Sequence, residues 1–291
     1  MAQEDLKEKK TNFVKKVFYV IAAYAGLVFF LSTGPTISDI AKKRFYQLTD
    51  KVVVAYIPIK ETISSESSKE VIQCIENAKE DGINNYVFEV NSGGGEVVPS
   101  EDISNKINEV ERGLDGIKGS NDDAITIALI KGVGASGAYW IASAADYIVA
   151  SRNSLVGSIG VRAGFFNFSG LMKKLGIEYR DIKSGANKTM GSPFREPTGE
   201  ELEQLEKLIS GVHKNFIRSV AKNRNMPYAE IEALADGGVW LGSEALEKKL
   251  IDKIGGLDAA KARIKEIRKK DKSKIIFIKY EKAKPFFFNY F

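Results

Sequence analysis

The sequence predicts an α/β domain with a largely parallel sheet, and three observations carry that prediction. Short β-branched runs alternate with amphipathic stretches of helical period, the pattern of strands joined by crossover helices. Two of those runs pass directly into glycine-rich turns, NSGGGEV and KGVGASG. The chain has 291 residues, 44% apolar and 28% charged, enough to bury one large core in an ordinary globular balance.

The elements follow in order. Val17–Leu31 (VFYVIAAYAGLVFFL) is fifteen residues without a charge, extended by Ser32, Thr33 and Gly34 to Pro35. Lys7, Lys9, Lys10, Lys15 and Lys16 precede it. That pattern predicts a transmembrane anchor over 17–34 behind a cytoplasmic tail, 1–16, with the bulk of the chain on the outer, periplasmic side of a cell (inner) membrane. A cleavable leader is the alternative, but no A-x-A pattern follows the run. Residues 35–50 read as a linker. The domain proper is expected over 51–270, and 271–291, ending KPFFFNYF, as a C-terminal tail. VVVAYIPI (52–59), NNYVFEV (84–90), AITIALI (124–130) and YIVAS (147–151) are strand-like, with helices over 68–80 and 99–114 and a short one in GAYWIASAA. A long helix over 198–224 places Leu202, Leu205, Ile209, Val212, Phe216 and Val220 on one face, and shorter helices follow near 227–235 and 243–249.

Composition narrows the function. A formal charge of +5, spread as Lys and Glu in helical patterns, argues against a nucleic-acid partner. Cys74 is the only cysteine and His213 the only histidine, which excludes an internal disulfide, a cysteine zinc site and a His-rich metal centre; no cofactor is expected.

Chemistry is expected where glycine-rich turns meet the carboxyl ends of parallel strands. Glycine permits close backbone approach, and N–H groups freed at such turns can donate to a developing oxyanion. Three mechanisms compete for Ser136, between Gly134 and Gly137. GVGASG fits the dinucleotide pattern G-x-G-x-x-G, with Arg152 placed to suit a 2′-phosphate, but the acidic residue that pattern requires is missing. A Ser–Asp–His triad would use His213, yet Ala138 breaks the G-x-S-x-G elbow and His213 sits near the apolar side of its helix, as a packing residue would. A Ser–Lys dyad needs a lysine neutral near pH 7, well below its free pKa of about 10.4, which burial can supply. Lys183 and Lys188, in DIKSGANKTMGSP after the strand-like IEYRDI, both qualify, and the residues alone leave them open.

NSGGGEV, GASGAYWIASAADYIVAS, GSIGV and IKSGANKTMGSPFREPTGEE, followed by FIRSVAKNRNMP, ADGGVWLGSEAL and LIDKIGGLDAA, resemble the signal peptide peptidase A family of serine proteases in order over about residues 50–260. The resemblance implies a crotonase/Clp-protease-like fold of repeated β-β-α units, Ser136 as nucleophile and Lys188 as general base. It implies Ser158 as the serine that positions the lysine amine, and Gly95 and Gly137 as the oxyanion hole. It further implies a homo-oligomer whose active sites are shared between protomers, acting beside a membrane on hydrophobic peptides such as spent signal peptides. Protease action on misfolded membrane proteins, or a catalytically dead scaffold of the same fold, are the rival readings. Two positions depart from the family: Gly93 stands where proline is usual, and Lys249 where glycine is frequent, a change expected to be a surface one.

Overall fold

The computed structural model describes residues 51–111 and 124–281. It is a mixed α/β sheet with helices on both faces. β1 (Lys51–Lys60), β2 (Asn85–Ser92) and β3 (Ile125–Ala135) run parallel through its centre, joined by α1 (Ser65–Glu80) and α2 (Val97–Glu111). β2 and the first half of β3 are almost continuously buried, as strands covered on both faces must be. α1 begins at a capping box between Ser64 and Ser67 and turns Val71, Cys74, Ile75 and Ala78 inward. Cys74 is buried, a packed side chain.

β3 divides its pairing. Ile127–Ile130 lie against β4 (Tyr147–Ala150), and Val133–Ala135 against the shorter β5 (Leu155–Gly157). The register of β2 on β3 shifts between Val90 and Ser92. That irregularity lets β3 bend away from β4 and deliver its last residues to a different neighbour. α3 (Gly137–Ser143) follows at once and is wholly buried; Tyr139 donates its hydroxyl to Leu250 O (2.8 Å), and Trp140 stacks on Phe216 at 4.6 Å between ring centres. On the opposite face Val54, Val87, Ile127 and Leu129 pack against Ala260 and Ile264 of α8 (Leu257–Ile267). Each such fully buried aliphatic side chain contributes about 1.5–3 kcal/mol by its removal from water.

The remaining elements differ more from expectation. β6 (Val239–Leu241), antiparallel on β5, and β7 (Lys253–Ile254), parallel on β4, are too short to leave an alternation in the sequence. β8 (Lys274–Lys279), from the stretch assigned to the tail, adds to the sheet beside β1. IEYRDI, which reads as a strand, pairs with nothing: residues 177–182 carry no strand assignment. Between them lie α4 (Ser169–Lys174), a 3₁₀ turn (Ala186–Thr189), α5 (Gly199–Asn223), α6 (Tyr228–Glu232) and α7 (Gly242–Glu247). Only the C-terminal half of the apolar stripe of α5 is buried, at Phe216, Ile217 and Val220; Leu202 and Leu208 remain exposed.

The single-pass membrane placement is corrected here. Among the described residues no helix is long and apolar enough to cross a membrane. The run that prompted the expectation, Val17–Leu31, lies outside the described residues, as does the aromatic end of the chain. As a helix, the stretch from 17 to 34 would reach only about 27 Å, short of a hydrocarbon core of about 30 Å.

Candidate active site

Ser136 ends β3 and caps α3 with φ 55° and ψ −129°. A non-glycine residue there is strained, and the neighbours hold it: the Ser136 N–H donates to Gly157 O (2.8 Å), while its carbonyl accepts from the N–H groups of Tyr139 (2.9 Å) and Trp140 (3.0 Å). The side chain is thereby turned out of the strand's alternation, at the start of a buried helix. Ser158 stands beside it, because Ala135 pairs with Gly157 and each serine is the next residue along. Ser158 is also left-handed, at φ 50°, and its N–H donates to Gly238 O (2.7 Å).

The glycine loop after β2 packs onto this corner. Ile63 bridges Gly95 in parallel: the Ile63 N–H donates to Gly94 O (3.0 Å), and the Glu96 N–H to Ile63 O (2.9 Å). In that pattern the N–H of Gly95 takes no part in the bridge and faces the other way. A Cβ on Gly94, at φ +97°, would come within 2.7 Å of Gly137 N and 2.8 Å of Ser136 Cβ. A Cβ on Gly137 would lie 2.2 Å from Ser100 Oγ and 3.4 Å from Gly95 N. The two glycine turns therefore meet so closely that only glycine fits. Gly137 is the first residue of α3, where helical N–H groups have no intrahelical acceptor. The backbones of Gly95 and Gly137 thus meet beside Ser136.

These groups open into one cleft of ≈ 780 Å³, which Ser136, Gly95, Gly137 and Ser158 all line. Val97, Trp140 and Phe216 give it apolar walls; Arg162, His213 and Asp236 give it polar ones. The position of His213 escaped the sequence reading: the residue borders the same cleft, with Nε2 3.2 Å from Ile159 O, the carbonyl next to Ser158. Helical periodicity shows which side of α5 is apolar but not which loop that side meets.

Lys188 is not brought to the cleft. It stands exposed on the 3₁₀ turn, within an arm in which no residue from 161 to 200 is buried. Lys183 is engaged elsewhere, donating to Ala186 O (3.0 Å) and Thr189 Oγ1 (3.3 Å). The arm displays Phe166, Leu171, Leu175, Ile177 and Ile182 to solvent, with Ile182 fully exposed.

A strained serine at a strand–helix junction thus shares one cleft with two glycine turns. The profile of Peptidase family S49 matches residues 122–271, and the chain belongs to that family. A Methanocaldococcus jannaschii protein named as a protease is 35% identical over 209 residues, 72% of this chain and 64% of that one. An Enterococcus faecium protein named as a signal peptide peptidase is 33% identical over 187 residues, 64% of this chain and 52% of its own length. The chain thus spans between half and two thirds of these two relatives. Among solved structures, a membrane-bound stomatin-specific protease with a bound substrate peptide superposes with a TM-score of 0.51 at 15% identity, covering 80% of this chain and 94% of that one, and so shares the fold.

Proposed function

We propose that the chain is a serine endopeptidase in which Ser136 attacks the scissile carbonyl and Lys188, supplied by a neighbouring protomer, takes its proton. The observation that carries this reading is that the strained Ser136, Gly95 and Gly137 pack together and line one cleft. The neutral lysine amine removes the proton from Ser136 Oγ as the new C–O bond forms. The carbonyl oxygen gains its charge against the two backbone donors. The lysine then passes the proton to the leaving amine as the C–N bond breaks, and water repeats the cycle on the acyl-enzyme. Ser158, alongside Ser136, is placed to accept a hydrogen bond from the lysine amine and hold it on line.

Sharing of the site between protomers is supported by two features together. Lys188 lies away from the cleft of its own chain, and the arm bearing it exposes apolar side chains that a second copy would cover. The apolar walls at Val97, Trp140 and Phe216 support hydrophobic peptides, spent signal peptides among them, as the substrate class. The test is mixing. Ser136→Ala and Lys188→Ala proteins, each inert alone, should together regain activity, in about one quarter of the sites for random assembly in equal amounts. Activity in Ser136→Ala alone would refute the nucleophile. A mixture that assembles and stays inert would refute the sharing, and an inert wild type would favour a scaffold that only binds peptides.

A further inference from the structure

The arm that carries Lys188 has an unusual interior. From residue 160 to residue 215 a single residue is buried, and it is a carboxylate, Glu201, 3% exposed. Its partner is Arg195, which donates from Nη1 to Glu201 Oε2 (2.8 Å) and from Nη2 to Oε1. The same Nη2 also donates to Thr189 O (3.0 Å) and Thr189 Oγ1 (3.1 Å). Thr189 is the residue after Lys188. The fork of one guanidinium thus ties the start of α5 to the last residue of the lysine's turn. Glu201 is itself fixed by the capping box of α5: it accepts from the Thr198 N–H (3.0 Å), and its own N–H donates to Thr198 Oγ1 (3.2 Å). The turn is braced on its other side by Lys183, at Ala186 O and Thr189 Oγ1, and by Asn187, whose Nδ2 donates to Gln204 Oε1 (2.9 Å).

A partly buried ion pair is a poor source of stability, because desolvation offsets much of its attraction; its value lies in geometry. A bidentate guanidinium fixes angles as well as distance, which a lysine ammonium does not. An exposed 3₁₀ turn with no apolar core has only its own backbone bonds, from Lys188 N–H to Gly185 O (3.2 Å) and Met190 N–H to Asn187 O (3.2 Å), beside such contacts to set its orientation.

We infer that Arg195 and Glu201 are positioning residues for Lys188: they hold the lysine's turn at the angle from which its amine reaches Ser136. The inference rests on the reading of Lys188 as the base. A loosened turn leaves the peptide cleft, which belongs to other elements, as it was. The loss therefore falls on kcat and not on KM.

The experiment compares Arg195→Lys, Arg195→Ala and Glu201→Gln with wild type in hydrolysis of a synthetic apolar peptide, with assembled mass and Tm recorded on the same samples. Arg195→Lys keeps the charge but loses the fork, and its result decides if Arg195→Ala fails to fold. The expected result is a fall in kcat of about 10²-fold, the cost of a 1 Å misplacement, at unchanged KM and assembled mass. Wild-type kcat in Arg195→Lys and Glu201→Gln, or a loss of activity only in proportion to lost assembly, overturns the inference. Lys188→Ala run alongside separates the two readings. If it retains activity, the base assignment fails; if it is inert while Arg195→Lys and Glu201→Gln turn over normally, only the clamp fails.

Discussion

Replacing Gly95 by alanine should separate the architecture of the oxyanion loop from the stability of the sheet beneath it. A Cβ at Gly95 would fall 2.0 Å from Ile63 O and 2.6 Å from Ile63 N, both backbone atoms that no rotamer change can move aside. The bridge must open, with loss of the bonds from Ile63 N–H to Gly94 O and from Glu96 N–H to Ile63 O. At about 1 kcal/mol net for each bond the expected destabilisation is about 2 kcal/mol. That corresponds to a fall in Tm of about 4–8 °C for a domain of this size. The catalytic loss should be larger than this implies. Re-aiming the Gly95 N–H removes the proposed oxyanion donor, a loss worth about 10²–10³ in kcat. The assay is steady-state hydrolysis of an apolar peptide well below the melting transition, with Tm by differential scanning calorimetry. A Gly95→Ala protein within about threefold of wild-type kcat would refute the assignment of that N–H to the reacting carbonyl. An unchanged Tm would refute the bridge's part in holding the loop.

Further outcomes follow from the same geometry. Ser136→Gly should be more stable than Ser136→Ala by about 1 kcal/mol, since only glycine adopts the backbone angles of residue 136 without strain; calorimetry of the two proteins measures it. Lys249→Gly should stabilise by a similar amount, about 0.5–1 kcal/mol, because Lys249 is left-handed at φ 58° directly after α7, where the Leu250 N–H reaches back to Ala245 O (2.8 Å). The hydrogen bonds from Arg195, with help from the Thr198 N–H, hold the Glu201 carboxyl down at about 2, below its ordinary 4.5. A depressed acid stabilises the fold above its ordinary value and loses that contribution as pH falls through the folded one. The Tm difference between wild type and Glu201→Gln should therefore be constant above about pH 4.5 and shrink as pH falls toward 2; a difference that does not change over this window would contradict the clamp.

The sequence made the sheet's centre and the serine corner legible for a physical reason. Strands buried on both faces are dense in β-branched residues, and turns that pack backbone on backbone admit only glycine, so β1 to β4 and the turns at Gly94 and Gly137 both leave compositional marks. β6 and β7 leave none, since three residues or two are too few for an alternation. IEYRDI carries the strand alternation but has no neighbouring strand to pair with. The stripe on α5 was legible as a helix face, yet nothing in its period distinguishes Phe216, buried against Trp140, from Leu202, which stays exposed. The surface change expected at Lys249 is an exposed one, but its left-handed backbone, invisible in the sequence, gives the family's preference for glycine there a conformational cause. Gly93, the other departure, has nothing within 4 Å of where a Cβ would stand, so close packing does not require glycine there.

The arm between residues 161 and 200 has one more consequence, for the life of the protein in a cell. A single chain presents Phe166, Leu175 and Ile182 to whatever is nearby. Under the proposed sharing of sites, a second copy competes with chaperones, detergents and other unfolded chains for these side chains. The proposal then makes the yield of usable protein depend on how quickly protomers find one another, so that dilution during purification becomes a hazard beside heat.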